Sequence, residues 1–209
     1  MIKILIVDDH SIVRQGLRTV LGDSLGITVV AEAESGQEAL DLAATMELDI
    51  VILDIGMQGR DGLEVLRELI ARKPKLGVII FSMYPEEQYA IRCFKDGAGA
   101  YISKNNPPEE LIRAIHAIAE GRKYVTQPVA ERMASLIQGK LPVALHEKLS
   151  DRELAVLVKI GSGMPLARIA EELFLSPKTV SAYKTRILKK MGMKNSASLI
   201  RYVLDEKLL

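Results

Sequence analysis

The stretch Asp49–Gly62, DIVILDIGMQGRDG, decides how the first half of this 209-residue chain is read. Four apolar residues, Ile50 to Leu53, run into a carboxylate, Asp54. A short unbroken apolar run bounded by turn signals fits a strand buried on both faces. A lone acid at the tip of such a strand is costly unless something there uses its charge. Outward from this stretch, further strand-length apolar runs stand at Ile2–Val7, Ile27–Ala33, Val78–Phe81 and Ala100–Ser103. Between the runs, helical periodicity predicts helices over about Ser11–Leu21, Ser35–Ala44, Gly62–Arg72, Glu86–Lys95 and Pro107–Glu120. Ser35 with Glu38 reads as a capping box, and Asn106-Pro107 as an N-cap followed by a first-turn proline. Five strands alternating with five helices predict an α/β fold, a parallel sheet covered on both faces. Ligands bind such sheets at the carboxyl ends of the strands. Asp8, Asp9 and Asp54 all fall at such ends, so three carboxylates are expected to share one mouth.

Composition bounds the rest. Hydrophobic residues make up 48% and charged residues 26% of the chain, an ordinary globular balance. No run approaches the ~18 apolar residues that cross a bilayer. Charges interrupt MIKILIVDDH at once, unlike a signal peptide. The single cysteine, Cys93, rules out an intramolecular disulfide, fits a cytoplasmic location and reads as core packing. His10, His116 and His146 are scattered without ligand spacing, which argues against a zinc or catalytic role. The net charge of +1 conceals an asymmetry. Residues 1–123 hold 14 Lys+Arg against 19 Asp+Glu, a net of −5; residues 124–209 hold 14 against 8, a net of +6. Two domains with different partners are expected, the basic one suited to a polyanion.

Three acids in one mouth repel each other, and a hard divalent cation is the usual remedy. Mg²⁺ takes oxygen ligands, often one or two carboxylates plus a phosphate. Beside such a cation Asp54 is a candidate nucleophile for an aspartyl-phosphate. Ser82, closing VIIFS, can donate a hydroxyl to a phosphoryl oxygen, and Lys104, closing AYISK, can pair with its charge. Tyr101 stands at a strand position that favours aromatics whatever its role.

After Gly121 the alternation stops. An amphipathic stretch, Pro128–Ile137, precedes QGKLPVALHEK and reads as a helix-bearing linker. From Ser150 the pattern is helical: Ser150–Ile160 with a Ser150/Glu153 capping box, Leu166–Leu173, Ser176–Met191 and about Ser196–Asp205. A tight turn at Phe174-Leu175 before Ser176-Pro177 gives helix-turn-helix grammar. On the second of these helices Val180, Tyr183, Ile187 and Met191 form an inward stripe, and Lys178, Ala182, Thr185 and Lys189 the opposite one. Cations among short side chains suit a major-groove surface. In the last helix, Leu199, Val203 and Leu204 read equally as a dimer contact or as packing within the domain.

Taken together, ILIVDDH, VILDIGMQGRDGLEVL, VIIFS and GAYISK resemble the receiver domain of bacterial response regulators over residues 1–122. The segment LSDRELAVLVKIGSGMPLARIAEELFLSPKTVSAYKTRILKKMGMKN resembles the LuxR-type helix-turn-helix over residues 148–209, leaving 123–147 as linker. The pair is similar to response regulators of the NarL/FixJ class, with KTVSAYKTRIL most like the virulence and acid-stress regulators of that class. The resemblance implies a five-stranded parallel, doubly wound, flavodoxin-like receiver followed by a small all-α helix-turn-helix domain, and a phosphorylation-gated transcription regulator rather than an enzyme. It implies Asp54 as phosphoacceptor, and Mg²⁺ on Asp8, Asp9, Asp54 and the Gly56 carbonyl. It gives Ser82 and Lys104 the grip on the phosphoryl group and makes Tyr101 the switch aromatic. It puts Lys178, Ser181, Ala182 and Thr185 near bases, and Thr179, Lys184, Arg186 and Lys189 near phosphates. Double-stranded DNA, a sensor histidine kinase, RNA polymerase and, once phosphorylated, a second copy of the chain are the implied partners, with no membrane. One departure stands out: Gln58 occupies a position where the family carries proline, which predicts a looser loop and altered phosphoryl lifetime.

Overall fold

A computed structural model describes residues 1–57, 62–138, 144–173, 175–206 and 208. Gln58 and Phe174, and with them the loop and turn expectations they carry, lie outside the described residues. The chain divides into two compact units, Met1–Ala134 and Ser135–Leu209.

In the first unit five strands, β1 (Ile2–Val7), β2 (Ile27–Ala33), β3 (Ile50–Leu53), β4 (Gly77–Ser82) and β5 (Ala100–Ser103), pair in parallel in the order β2-β1-β3-β4-β5. Helices α1 (Ser11–Gly22), α2 (Gly36–Thr45), α3 (Gly62–Arg72), α4 (Glu86–Lys95) and α5 (Pro108–Ala119) cross between them. Ile4, Ile6, Ile50, Ile52, Ile79 and Ile102 pack against Leu17 and Leu21 of α1 and Leu111 and Ile115 of α5. The alternate residues Leu5, Val7, Val51, Leu53 and Ile80 turn to the other face and are equally buried. Burial on both faces is why these strands read as unbroken apolar runs, each large side chain contributing about 1.5–3 kcal/mol over exposure.

Two helix starts differ from expectation. At α2 the Ser35 hydroxyl accepts from the Glu38 N–H at 3.3 Å, but the Glu38 carboxylate takes the Glu34 N–H at 2.8 Å, so the box is not reciprocal. At α5 the N-cap is Pro107 and the first-turn proline is Pro108, one residue later than predicted. Pro107 precedes a proline, and steric clash keeps such a residue extended (φ −57°, ψ 142°).

Past α5 the chain returns to the β5 edge. Tyr124 bridges Ala100 and donates its N–H to the Gly99 carbonyl at 3.0 Å, covering that edge. The Thr126 hydroxyl donates to the Glu86 carboxylate at 3.0 Å just before α6 (Gln127–Ile137).

The second unit contains a 3-10 turn at Leu145–Lys148, then α7 (Asp151–Gly161), α8 (Leu166–Glu172), α9 (Pro177–Met191) and α10 (Ser196–Asp205). The Ser150/Glu153 capping box is present in full. Leu154, Leu157, Ile169, Val180, Ile187, Leu199 and Val203 form the buried interior. Packing within the domain therefore accounts for Leu199 and Val203, whereas Leu204 stands 56% exposed.

Candidate functional site

Register builds the mouth. Val7 of β1 lies opposite Leu53 of β3, so Asp8 and Asp54, one residue on, emerge side by side. The Asp54 N–H donates to the Val7 carbonyl at 2.9 Å, which ties the two strand ends together. Both acids are buried, at 1% and 4% exposure. Lys104, one residue past β5, reaches between them: Nζ is 2.6 Å from Asp8 Oδ2 and 2.7 Å from Asp54 Oδ2. Burial alone would lower this ammonium's pKa; the Asp54 carboxylate, with Asp8 behind it, outweighs that and raises it. Here, then, is what uses the Asp54 charge.

Asp8, Asp9, His10 and Asp54 each offer a ligand atom, all within 4.8 Å of one another. Three hard carboxylates converging in one mouth fit Mg²⁺. His10 Nδ1 lies 2.8 Å from Asp9 and 3.2 Å from Asp8, at the rim of the same mouth. Gly56 donates its N–H to Asp54 Oδ1 at 2.8 Å. A methyl built on Gly56 would stand 3.4 Å from Asp54 Oδ1 and 3.7 Å from Tyr84 Cε2, so both side chains border Gly56.

Ser82 ends β4 at 1% exposure, and its Oγ accepts from the Tyr84 N–H at 3.3 Å. The Tyr101 hydroxyl donates to the Tyr84 carbonyl at 2.8 Å, and the ring is 1% exposed. The candidate switch aromatic thus lies inward. Burial, with Cys93 and Tyr89 nearby, pushes its phenol pKa well above the ordinary value. Cys93 itself is fully buried, as core packing predicts.

In the second unit α9 exposes Lys178, Ser181, Ala182, Thr185, Arg186 and Lys189, while Thr179 and Lys184 are half-buried. The Thr179 hydroxyl is engaged by Ser176 Oγ at 2.7 Å in the helix cap. Val180, Ile187 and Met191 are buried as expected, but Tyr183 is only half-buried, with the Arg186 guanidinium 4.9 Å over its ring. Sequence reading missed what holds α9 in place. Lys190 donates to the buried Glu153 carboxylate at 2.6 Å, tying the end of α9 to the start of α7. Burial would raise the Glu153 pKa; the hydrogen bonds from Lys190 and Ser150 outweigh it and hold the carboxyl below its ordinary range.

Residues 4–116 match the response regulator receiver domain, and residues 147–203 match the luxR family of bacterial regulatory proteins. The chain belongs to the two-component response regulators of the NarL/FixJ class. This regulator is 34% identical over 200 residues to response regulator UvrY of Escherichia coli (strain K12), covering 95% of this chain and 92% of that one. It is 36% identical over 214 residues to oxygen regulatory protein NreC of Staphylococcus aureus, covering 99% of each. Among solved structures it resembles RcsB from Salmonella enterica serovar Typhimurium bound to promoter rprA with phosphomimetic BeF3⁻ (TM-score 0.65, 25% identity, 97% of this chain and 98% of that one). The regulator therefore joins a receiver domain to a LuxR-type DNA-binding domain and acts in transcription regulation. No described helix is long and apolar enough to cross a membrane.

Proposed function

We propose that Asp54 accepts a phosphoryl group from a sensor histidine kinase and that the modified receiver, residues 1–122, promotes dimerisation and promoter binding. The observation that carries this is the pairing of Asp54 with Lys104 at 2.7 Å inside a mouth shared with Asp8 and Asp9. An Asp54 oxygen attacks phosphorus, the bond from phosphorus to the donor nitrogen breaks, and the departing imidazole keeps that electron pair and takes a proton. Asp8, Asp9, Asp54 and the Gly56 carbonyl would hold Mg²⁺, which when bound neutralises charge on the transferring group. Lys104 exchanges its bond to Asp54 for one to a phosphoryl oxygen, and the Ser82 hydroxyl donates to another. Committing Ser82 to the phosphoryl group reorients the hydroxyl that now accepts from Tyr84, whose carbonyl holds Tyr101. The β4–α4 turn is the element biased, and a near-complete switch requires about 5.5 kcal/mol of differential stabilisation. The regulator turns over no separate substrate.

Through the linker, residues 123–147, the change reaches the DNA-binding domain, residues 148–209. Lys178, Ser181, Ala182 and Thr185 meet base edges. Lys184, Arg186, Lys189 and the capped Thr179 meet phosphates of double-stranded DNA. A homodimer reads paired half-sites and presents the regulator to RNA polymerase in the cytoplasm. RcsB dimers bound to DNA give the precedent for the assembly. The test is intact mass after acetyl phosphate with Mg²⁺, wild type against Asp54→Ala, followed by promoter binding across a salt series. Wild type alone gains a phosphoryl group and then binds DNA more tightly, with affinity falling as salt rises. Equal labelling of the Asp54→Ala protein refutes the assignment.

A further inference from the structure

We propose that Arg14 is a positioning residue for the acidic mouth, a buried fork that fixes the turn carrying Asp8 and Asp9 in the geometry that receives the divalent cation. The inference rests on the reading of the mouth given above. Arg14 is 7% exposed and lies with Leu17 and Leu21 on the inward face of α1, a cation where the helical period calls for an apolar side chain. Long helical side chains lean toward the helix N-terminus, which aims this one back at the mouth.

Its three bonds reach two segments, the Asp8 turn and the end of β2. Nη1 donates to the Asp8 carbonyl at 2.8 Å, Nε to Glu32 of β2 at 3.3 Å, and Nη2 to Glu34 just beyond β2. Asp8 lies past the last β1–β3 rung, Val7 opposite Leu53, where sheet pairing no longer serves its backbone carbonyl. The Asp8 N–H is taken by the Ala33 carbonyl at 3.1 Å, so with Arg14 both backbone groups of Asp8 are anchored toward β2. The far ends are braced too: Arg18 donates to Glu32 at 2.9 Å, and the Glu34 N–H donates to Glu38 at 2.8 Å. On the other side the Asp8 carboxylate accepts from the His10 N–H at 2.8 Å and from Lys104. Arg14 grips the Asp8 backbone rather than its carboxylate, so it acts on the cation through Asp8. A lysine carries the charge but not the planar fork, and cannot make three directed bonds at once.

Groups that orient metal ligands shift metal affinity by about 10–100-fold when removed. The full chain and the variants Arg14→Ala, Arg14→Lys and Glu34→Gln are titrated with Mn²⁺ in place of Mg²⁺. Free Mn²⁺ is read by electron paramagnetic resonance, and thermal melts check folding. Arg14→Ala weakens Mn²⁺ binding about 10-fold or more, and Arg14→Lys falls well short of wild type because the charge alone does not orient the turn. Glu34→Gln, altered at a side chain 71% exposed, folds and loses a smaller share. Arg14→Lys binding Mn²⁺ within about two-fold of wild type overturns the proposal, since charge would then suffice. If Arg14→Ala fails to fold, Arg14→Lys and Glu34→Gln decide it on the same criterion. A wild type that binds no Mn²⁺ sinks the reading of the mouth itself, whereas wild-type binding matched by every variant sinks only the role of Arg14.

Discussion

Replacing Lys104 with methionine isolates what the ammonium does for the two acids. Its side chain is 8% exposed, and it bonds Asp8 and Asp54 at 2.6 and 2.7 Å. Methionine keeps most of the stem and removes the charge, leaving two buried carboxylates facing each other. Breaking a buried pair from one side costs about 3–5 kcal/mol, because the remaining charge is uncompensated. For a unit of this size that lowers its Tm by roughly 10–20 °C. A divalent cation that binds only the folded mouth returns about 2.7 kcal/mol at 100 times its Kd. In wild type the same cation must displace the ammonium from Asp8 and Asp54 and so gains less. Mg²⁺ therefore raises the melting temperature of Lys104→Met by more than that of wild type. Because folding raises the Lys104 pKa, its contribution is complete below the ordinary lysine value and is lost as pH climbs through the folded one. The gap between the proteins closes only in strong alkali. Calorimetry of the full chain, with and without Mg²⁺, reads all of this. Equal Mg²⁺ increments in the two proteins, or an unshifted melt without the cation, would refute the reasoning.

Four further outcomes follow from local packing and electrostatics. A Cβ on Gly62 would lie 2.5 Å from the Ile55 Cα and 2.8 Å from the Asp54 carbonyl, so Gly62→Ala costs about 1–3 kcal/mol and slows labelling by phosphodonor. Gly16→Ala, with nothing within 4 Å of its Cβ, instead stabilises α1 by about 0.5–1 kcal/mol in urea unfolding. Because folding lowers the Glu153 pKa, its stabilisation is present above the ordinary carboxylate range and disappears as pH falls through the folded value. Glu153→Gln flattens that acid limb in pH-dependent unfolding and weakens DNA binding by loosening α9. A Cβ on Gly161 would stand 2.2 Å from Val203 Cγ1, so Gly161→Ala destabilises the second unit by about 1–3 kcal/mol. Val203→Ala in the same chain recovers part of that loss, a coupling that a double-mutant cycle of melting curves measures.

Most of the scaffold was legible along the chain, because each strand and helix announces itself through its own period. β1, β2, β3 and β5 stand where their apolar runs do, and α3, α4 and α10 where their periodicity does. Element ends differ by a single residue, as where Pro108 holds Pro107 out of α5, whereas the 3-10 turn at Leu145–Lys148 lies in a stretch that reads only as linker. Asp54, Asp8, Lys104 and Ser82 could be picked out because acids, a lysine and a serine at the tips of buried strands are anomalies that periodicity exposes. Arg14 carries the same kind of signal, a cation on the apolar face of α1.

The order of the strands and the reach of the side chains were settled only in three dimensions. Lys104 lies 50 residues from Asp54 and 96 from Asp8. Only the placement of β3 between β1 and β4 brings the strand ends close enough for one ammonium to serve both acids. The bond from Lys190 to Glu153, the Arg186 guanidinium over Tyr183 and the inward Tyr101 likewise have no counterpart in spacing along the chain. Periodicity records which face of an element is buried; which group meets which across the gap depends on packing between elements, where pairing energies fall off within a few ångströms and a rotamer decides contact.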